Sequence, residues 1–206
     1  MSNERILVWD LPTRLFHWLL AASFAGAWLT AESERWRDVH VMLGYGFAGL
    51  ITFRLAWGFV GSRYARFSSF VTGPGPVRRY LLSILTLRPE HHVGHNPAGG
   101  WAVLVLLGLG LAAALSGYAA YSASSHLLEE LHEGVAGTML GLVLVHIGAV
   151  LVSSLIHREN LVRAMWNGFK RGSPAQAIRR NGWIAAATLL ALLAGIWTAA
   201  LRGALP

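Results

Sequence analysis

Five long stretches of apolar residues, separated by short groups of charged ones, are the feature that most constrains the fold of this chain. A helix needs roughly 20 residues to cross the hydrocarbon core of a membrane, where only helices and closed barrels satisfy their backbone hydrogen bonds. Of the 206 residues, 54% are hydrophobic and 13% are charged, whereas soluble domains carry about 25% charged residues. The sequence therefore predicts an all-α integral membrane protein, with transmembrane helices at 14–32, 39–60, 100–121, 133–156 and 183–202.

The composition excludes several classes of cofactor site. The chain has no cysteine, so it forms no disulfide, thiolate metal site, cysteine-ligated iron–sulfur cluster or covalent haem attachment through a C-x-x-C-H motif. Its net charge of +7 is explained by the basic loops of a membrane protein and does not indicate binding to nucleic acid.

The distribution of charge predicts the orientation. Basic residues precede the first stretch and dominate segments 61–99 and 157–182, whereas segment 122–131 carries Glu129 and Glu130 and neither lysine nor arginine. Basic loops face the cytoplasm. We therefore expect a multi-pass protein of the bacterial inner membrane with a cytoplasmic N-terminus and a periplasmic C-terminus.

Four histidines lie in or at the edge of the apolar stretches, where ionisable side chains are costly and usually functional. In the predicted topology His40 and His132 lie near the outer face, and His17 lies towards the inner face. His146 follows His132 by 14 residues, which is about 21 Å deeper on nearly the same side of one helix. The histidines thus form two pairs, His40 with His132 and His17 with His146. This pattern predicts a four-helix bundle that holds two non-covalent b haems, each between two imidazoles.

Other residues have both a functional and an ordinary interpretation. Arg54 lies 14 residues after His40 and is either a partner for a propionate of the inner haem or an arginine that extends to the lipid interface. Arg14 and Trp18 are candidates for contacts with a quinone or are interface anchors. The string HHVGH at 91–95 is either a metal site or a solvated loop. The glycines near the histidines either leave room for a porphyrin or allow close packing of helices.

Several motifs, taken in order, resemble the bacterial cytochrome b561 and nickel–iron hydrogenase b-type cytochrome superfamily. They are VWDLPTRLFHW at 8–18, RLAWG at 54–58, GHNPAGG at 94–100, ELHE at 130–133 and the segment 158–170. The resemblance covers residues 6–171. It implies a four-helix core with two b haems, whose ligands match His17, His40, His132 and His146. It also implies electron transfer between a quinone and a partner outside the cytoplasmic membrane.

These observations together predict a di-haem cytochrome of the respiratory chain. It would transfer electrons between the ubiquinone or menaquinone pool and a periplasmic c-type cytochrome, hydrogenase or other dehydrogenase subunit. Two alternatives remain: a superoxide:quinone oxidoreductase, and a haem-free transporter or assembly protein. Residues 1–171 would form the di-haem domain. Residues 172–206 would add a fifth transmembrane helix that packs against a partner or a second copy of the chain.

Overall fold

The computed structural model describes residues 4–86 and 90–204. This part of the chain is mostly helical, with a two-stranded sheet at one end. The helices are α1 (Leu11–Thr30), α2 (Arg37–Val60), α3 (Pro74–Leu85), α4 (Pro97–Ala123), α5 (His126–Ile156), α6 (Leu161–Asn167) and α7 (Trp183–Leu201), and the strands are β1 (Glu4–Leu7) and β2 (Phe169–Gly172). Residues 87–89, within the predicted connection 61–99, lie outside the described residues. So do residues 1–3 at the start of the first predicted domain and residues 205–206 at the end of the second.

Four helical segments of the described chain are long and apolar enough to cross a membrane: Glu34–Val60, Pro97–Ala123, His126–Ile156 and Trp183–Leu201. The predicted helical membrane architecture is confirmed at this level, although the two-stranded sheet departs from an all-α fold. Helix α1 forms as predicted but does not meet the same criterion, because Thr13, Arg14, His17 and Ser23 interrupt its apolar residues. A fifth crossing by α1 therefore remains a prediction.

The long helices form one bundle around a single core. Helices α1 and α2 pack along each other, α4 packs along both α2 and α5, and α7 packs against α2 and α1. The core takes at least one side chain from each of these five helices: Phe16, Phe47, Leu50, Ile51, Leu107, Met139, Leu189 and Leu193. Helix α7 thus buries Leu189 and Leu193 within its own chain, so only its outer face remains for a partner or a second copy.

Strands β1 and β2 lie at the end of the bundle where α1, α4 and α7 begin, which we call the sheet end. They pair antiparallel, with Ile6 opposite Lys170. Lys170 is buried, forms a 3.5 Å ion pair with Glu159, and donates a 3.1 Å hydrogen bond to the carbonyl oxygen of His92. The sheet therefore fastens the N-terminal residues to segments that follow α5 and precede α4.

Polar residues fix where the helices begin. Asp10 caps α1 by accepting a 2.8 Å hydrogen bond from the backbone N–H of Thr13, and Asn96 caps α4 by accepting one of 2.7 Å from that of Gly99. Such caps satisfy N–H groups that have no partner inside the helix. Helix α5 begins at His126, seven residues before its predicted start at 133. His132 consequently lies inside the helix and not at its edge, which corrects the predicted boundary.

Candidate functional site

His40 of α2 and His132 of α5 face each other at the end of the bundle opposite the sheet end. Their ring centroids are 6.2 Å apart, and the ring planes are at 87°. The Nδ1 atom of His40 donates a 2.8 Å hydrogen bond to the carbonyl oxygen of Ala27, and that of His132 donates one of 3.0 Å to the carbonyl oxygen of Ala113. These bonds fix both ring orientations and leave Nε2 of each ring for another ligand.

This geometry fits a metal ion held between the two rings. Two metal–imidazole bonds of about 2.0 Å each place the ligating nitrogens about 4 Å apart, and each ring centroid lies beyond its nitrogen. The observed 6.2 Å between centroids accommodates that arrangement. Metal-bound histidines also usually donate their other ring N–H to a carbonyl or carboxylate oxygen, as both rings do here. The spacing of His40 and His132 therefore fits two imidazoles that would hold one haem iron.

The glycines near this pair have different roles. A Cβ added at Gly44, one turn after His40, would have no neighbour within 4 Å, so Gly44 borders open space. In contrast, Gly46 and Gly49 lie against Trp197 and Ile196 of α7. Gly44 is therefore not needed for close packing of helices within the chain, whereas Gly46 and Gly49 allow it.

His17 of α1 and His146 of α5 lie nearer the sheet end, at a second level. His146 lies within electrostatic range of His17, although no ring-to-ring contact joins the two in the described structure. The Nδ1 atom of His17 is buried and has no hydrogen-bond partner among the described residues. A buried ring nitrogen without a partner is costly and indicates a missing ligand or hydrogen bond. The structure therefore brings this pair to one level without joining its rings.

Arg54 lies at the second level as well, on α2. Its side chain is 2% exposed, and its guanidinium lies 5.0 Å from the centroid of the Phe67 ring. Asp10 lies within electrostatic range, yet Nη1 of Arg54 is buried without a hydrogen-bond partner among the described residues. The burial contradicts the alternative in which Arg54 extends to the lipid interface. A cation held here with an unused donor is suited to bind an anionic group, as a haem propionate would require.

Comparison with known proteins decides the family. Residues 8–168, more than three quarters of the chain, match the sequence profile of the prokaryotic cytochrome b561 family. The chain belongs to this family. Membership implies that the cytochrome binds haem b and transfers electrons in a membrane.

One curated relative of the cytochrome is a probable Ni/Fe-hydrogenase B-type cytochrome subunit from Rhizobium leguminosarum bv. viciae. The two are 22% identical over 214 residues, an alignment that covers 82% of this chain and 90% of the relative. No solved structure matches the chain significantly.

His95 is a partly buried residue of the inner level, to which the sequence had given no place beside His17 and His146. Its ring lies 4.7 Å from that of Trp9 and 4.5 Å from that of Phe70, and its Nδ1 atom is buried without a hydrogen-bond partner among the described residues. Burial lowers the pKa of His95 to about 3, and the charge of Arg54 and the neighbouring His146 and His17 act in the same direction. His95 is therefore neutral at physiological pH and belongs to the inner level.

An open cleft at the sheet end leads to His95. It has a volume of about 720 Å³, and its lining includes Arg63, Tyr64, His91, His92 and His95. No group of three or more metal-ligating side chains occurs among the described residues, so the structure does not support a metal site at 91–95. The sequence signal for His95 was its place in the GHNPAGG string, which the metal interpretation obscured.

Arg14 and Trp18, the candidates for contact with a quinone, both join α1 to α6. Arg14 donates a 2.8 Å hydrogen bond from Nη1 to the carbonyl oxygen of Trp166, and the indole N–H of Trp18 donates one of 3.4 Å to that of Met165. These contacts give both residues a structural role at the inner level. They do not by themselves define a quinone site.

Proposed function

We propose that the cytochrome holds two b haems and transfers electrons across the bacterial inner membrane, between the quinone pool and a periplasmic redox partner. His40 and His132 would hold the outer haem, and His17 and His146 the inner one. The observation that carries this proposal is the opposed geometry of His40 and His132, with both Nδ1 atoms engaged by carbonyl oxygens. When bound, each haem would supply a one-electron couple.

The protein's own residues would prepare both sites for electron transfer. Two imidazoles holding each haem would leave no metal position open for oxygen chemistry, which would favour outer-sphere electron transfer. The carbonyl oxygens of Ala27 and Ala113 hold the outer rings in place and raise their basicity. Arg54 would bind a propionate of the inner haem, since its guanidinium is buried and keeps a free donor.

The proposed orientation places the sheet end in the cytoplasm and the C-terminus in the periplasm, with α1 as a fifth crossing helix. The charge pattern of the connecting segments supports it, because basic residues at 61–99 and 157–182 flank the sheet end. At the opposite end, Glu129, Glu130 and Glu133 of α5 are exposed. Acidic groups there suit a partner with a lysine-rich surface, such as a c-type cytochrome.

A hydrogenase or another dehydrogenase is the second kind of partner that we propose. The relative that is named as a hydrogenase cytochrome subunit supports it. The same acidic end of α5 disfavours the superoxide:quinone oxidoreductase, because an anion would be steered by positive charge. We propose that the quinone, ubiquinone or menaquinone, reacts near the inner haem.

Two experiments test this function. First, His132→Ala and His146→Ala should each lower the haem content of the purified protein from two per chain to one. Retention of both haems in either variant would contradict the pairing. Second, anaerobic addition of a ubiquinol or menaquinol analogue to the oxidised protein should reduce the b-haem absorption bands. Reduction by dithionite but by neither quinol would contradict the direct link to the quinone pool.

A further inference from the structure

Helix α3 has an apolar face that no other part of the described structure covers. Its inward side buries Tyr80, whereas the outward side exposes Leu81, Leu82 and Leu85, the last to 78%. The helix packs beside α4 at the sheet end. A helix with one buried face and one exposed apolar face, placed beside the end of a membrane-spanning helix, is typical of a helix that lies in the membrane interface.

A groove runs between this face and the first turns of α4. It has a volume of about 340 Å³ and is lined by Pro74, Val77, Arg78, Leu81, Leu82 and Trp101. The indole N–H of Trp101 donates a 2.8 Å hydrogen bond to the carbonyl oxygen of Thr72. That bond uses the polar edge of the indole, so the ring presents apolar surface to the groove. The groove is therefore lined almost entirely by carbon, with one exception.

The exception is Arg78, the one charged residue of the lining, whose guanidinium lies beside the groove and adds almost no polar surface to it. Arg78 is exposed, and no ion pair engages it within residues 4–86 and 90–204. The adjacent Arg79 differs, because it forms a 3.8 Å ion pair with Glu90 and does not line the groove. The groove thus combines an apolar channel of acyl-chain character with an unpaired guanidinium at its side.

We propose that this groove binds an anionic phospholipid of the leaflet at the sheet end, with an acyl chain along Val77, Leu81 and Trp101 and the phosphate on Arg78. Charge complementarity selects this occupant. A guanidinium binds phosphate oxygens with paired N–H donors, and basic pockets beside membrane helices commonly bind anionic head groups. The site needs no haem, so it stands independently of the proposed electron transfer.

Native mass spectrometry of the haem-loaded full chain, in mild detergent with added phosphatidylglycerol or phosphatidylcholine, tests the proposal. We expect one phosphatidylglycerol to be retained in preference to phosphatidylcholine. Arg78→Gln should weaken retention of phosphatidylglycerol about fivefold, the effect typical of one basic residue beside an anionic surface, and should leave phosphatidylcholine unchanged. Arg79→Gln is the matched control and should behave as the wild type, since Arg79 is directed to Glu90.

Equal retention of the two lipids by the wild type, or equal losses in the two arginine variants, would overturn the proposal.

A second measurement locates the acyl chain. Because the chain has no cysteine, a nitroxide attached at Leu85→Cys reports from that position alone, about one helical turn after the groove-lining Leu81. Its spectrum should broaden with spin-labelled phosphatidylglycerol more than with the phosphatidylcholine analogue. Competition by free glycerol phosphate at matched concentration would show that the head group alone binds, and would refute the acyl-chain assignment.

Discussion

Gly117 of α4 lies against the ring of His132, and its replacement by alanine tests the outer haem site without removing a ligand. A Cβ built on Gly117 would lie 2.9 Å from Cε1 of His132 and 3.0 Å from its Nδ1 atom. Carbon atoms in contact prefer about 3.5–4.0 Å, so the ring must move by about 0.5–1 Å. The imidazole is rigid and cannot fold away from the added methyl group.

The hydrogen bonds of His132 determine the size of this effect. Its Nδ1 atom lies 3.0 Å from the carbonyl oxygen of Ala113 and 3.3 Å from the hydroxyl of Ser116. A ring movement of about 0.5–1 Å takes the distance from Nδ1 to the carbonyl oxygen out of the normal hydrogen-bond range of about 2.7–3.2 Å. Loss of such a supporting bond typically weakens metal binding by 10–100-fold, or about 1.4–2.7 kcal/mol. We expect the outer site of Gly117→Ala to lose haem affinity by this factor, while the inner site is unchanged.

The assay is haem transfer from the purified protein to excess apomyoglobin, followed by redox titration of the remaining b-haem band. Gly117→Ala should release one of the two proposed haems faster and lose the matching component of the titration. Gly108→Ala, on the same helix, is the control, because a Cβ added there would have no neighbouring atom within 4 Å. Both variants gain the same helix propensity of about 1 kcal/mol, so their difference isolates the contact with His132. Identical haem release from the two variants would refute the assignment of His132 as a ligand.

Two further predictions concern the inner level. Arg54→Gln should lower the midpoint potential of one haem by on the order of 50 mV, equivalent to about 1 kcal/mol of lost charge stabilisation. The control variant Arg66→Gln, at an exposed position, should leave the potential unchanged. Equal potentials in the two variants would remove Arg54 from the site. His95 resists protonation in the folded protein, while the unfolded chain takes up a proton below its ordinary pKa near 6.5. Folded stability should therefore fall as pH decreases from 6.5 towards 3, by up to about 1.4 kcal/mol per pH unit. Thermal melts across this range should show a shallower decrease in stability for His95→Gln, and parallel curves would contradict the lowered pKa of His95.

The bundle could be predicted from the sequence because a long apolar stretch leaves the backbone few alternatives to a helix. The predicted boundaries failed where polar residues continue a helix. Residues 126–131 look like a loop by hydropathy, yet they extend α5, and His126 approaches Glu130 within 3.6 Å at the i, i+4 spacing of a helix. The connection 61–99 similarly contains α3, whose short amphipathic pattern is weak beside its prolines.

The contacts at the sheet end depend on residues far apart in sequence, and no local pattern predicts them. Strand β1 finds its partner more than 160 residues away, and its four residues resemble an ordinary N-terminal segment. His95 contacts Trp9 and Phe70, so the partial burial of its ring arises only once three separate segments are packed. The proximity of His40 and His132 was more predictable, since depth in a membrane helix follows from residue number alone.

The space between the two histidine levels bears on the haem-free alternative, since a transporter of that kind could use the histidines as a proton path. Helix α5 supplies His132 and His146 and is continuous between them, with the buried Met139 midway on the same side. Phe47, Leu50 and Leu107 fill the same layer from α2 and α4, in one core cluster with Met139. A proton needs hydrogen-bonding groups or water to cross such a layer, and these side chains offer none. An electron requires no such chain, so an apolar layer between two paired-imidazole sites favours a protein that moves electrons without leaking protons.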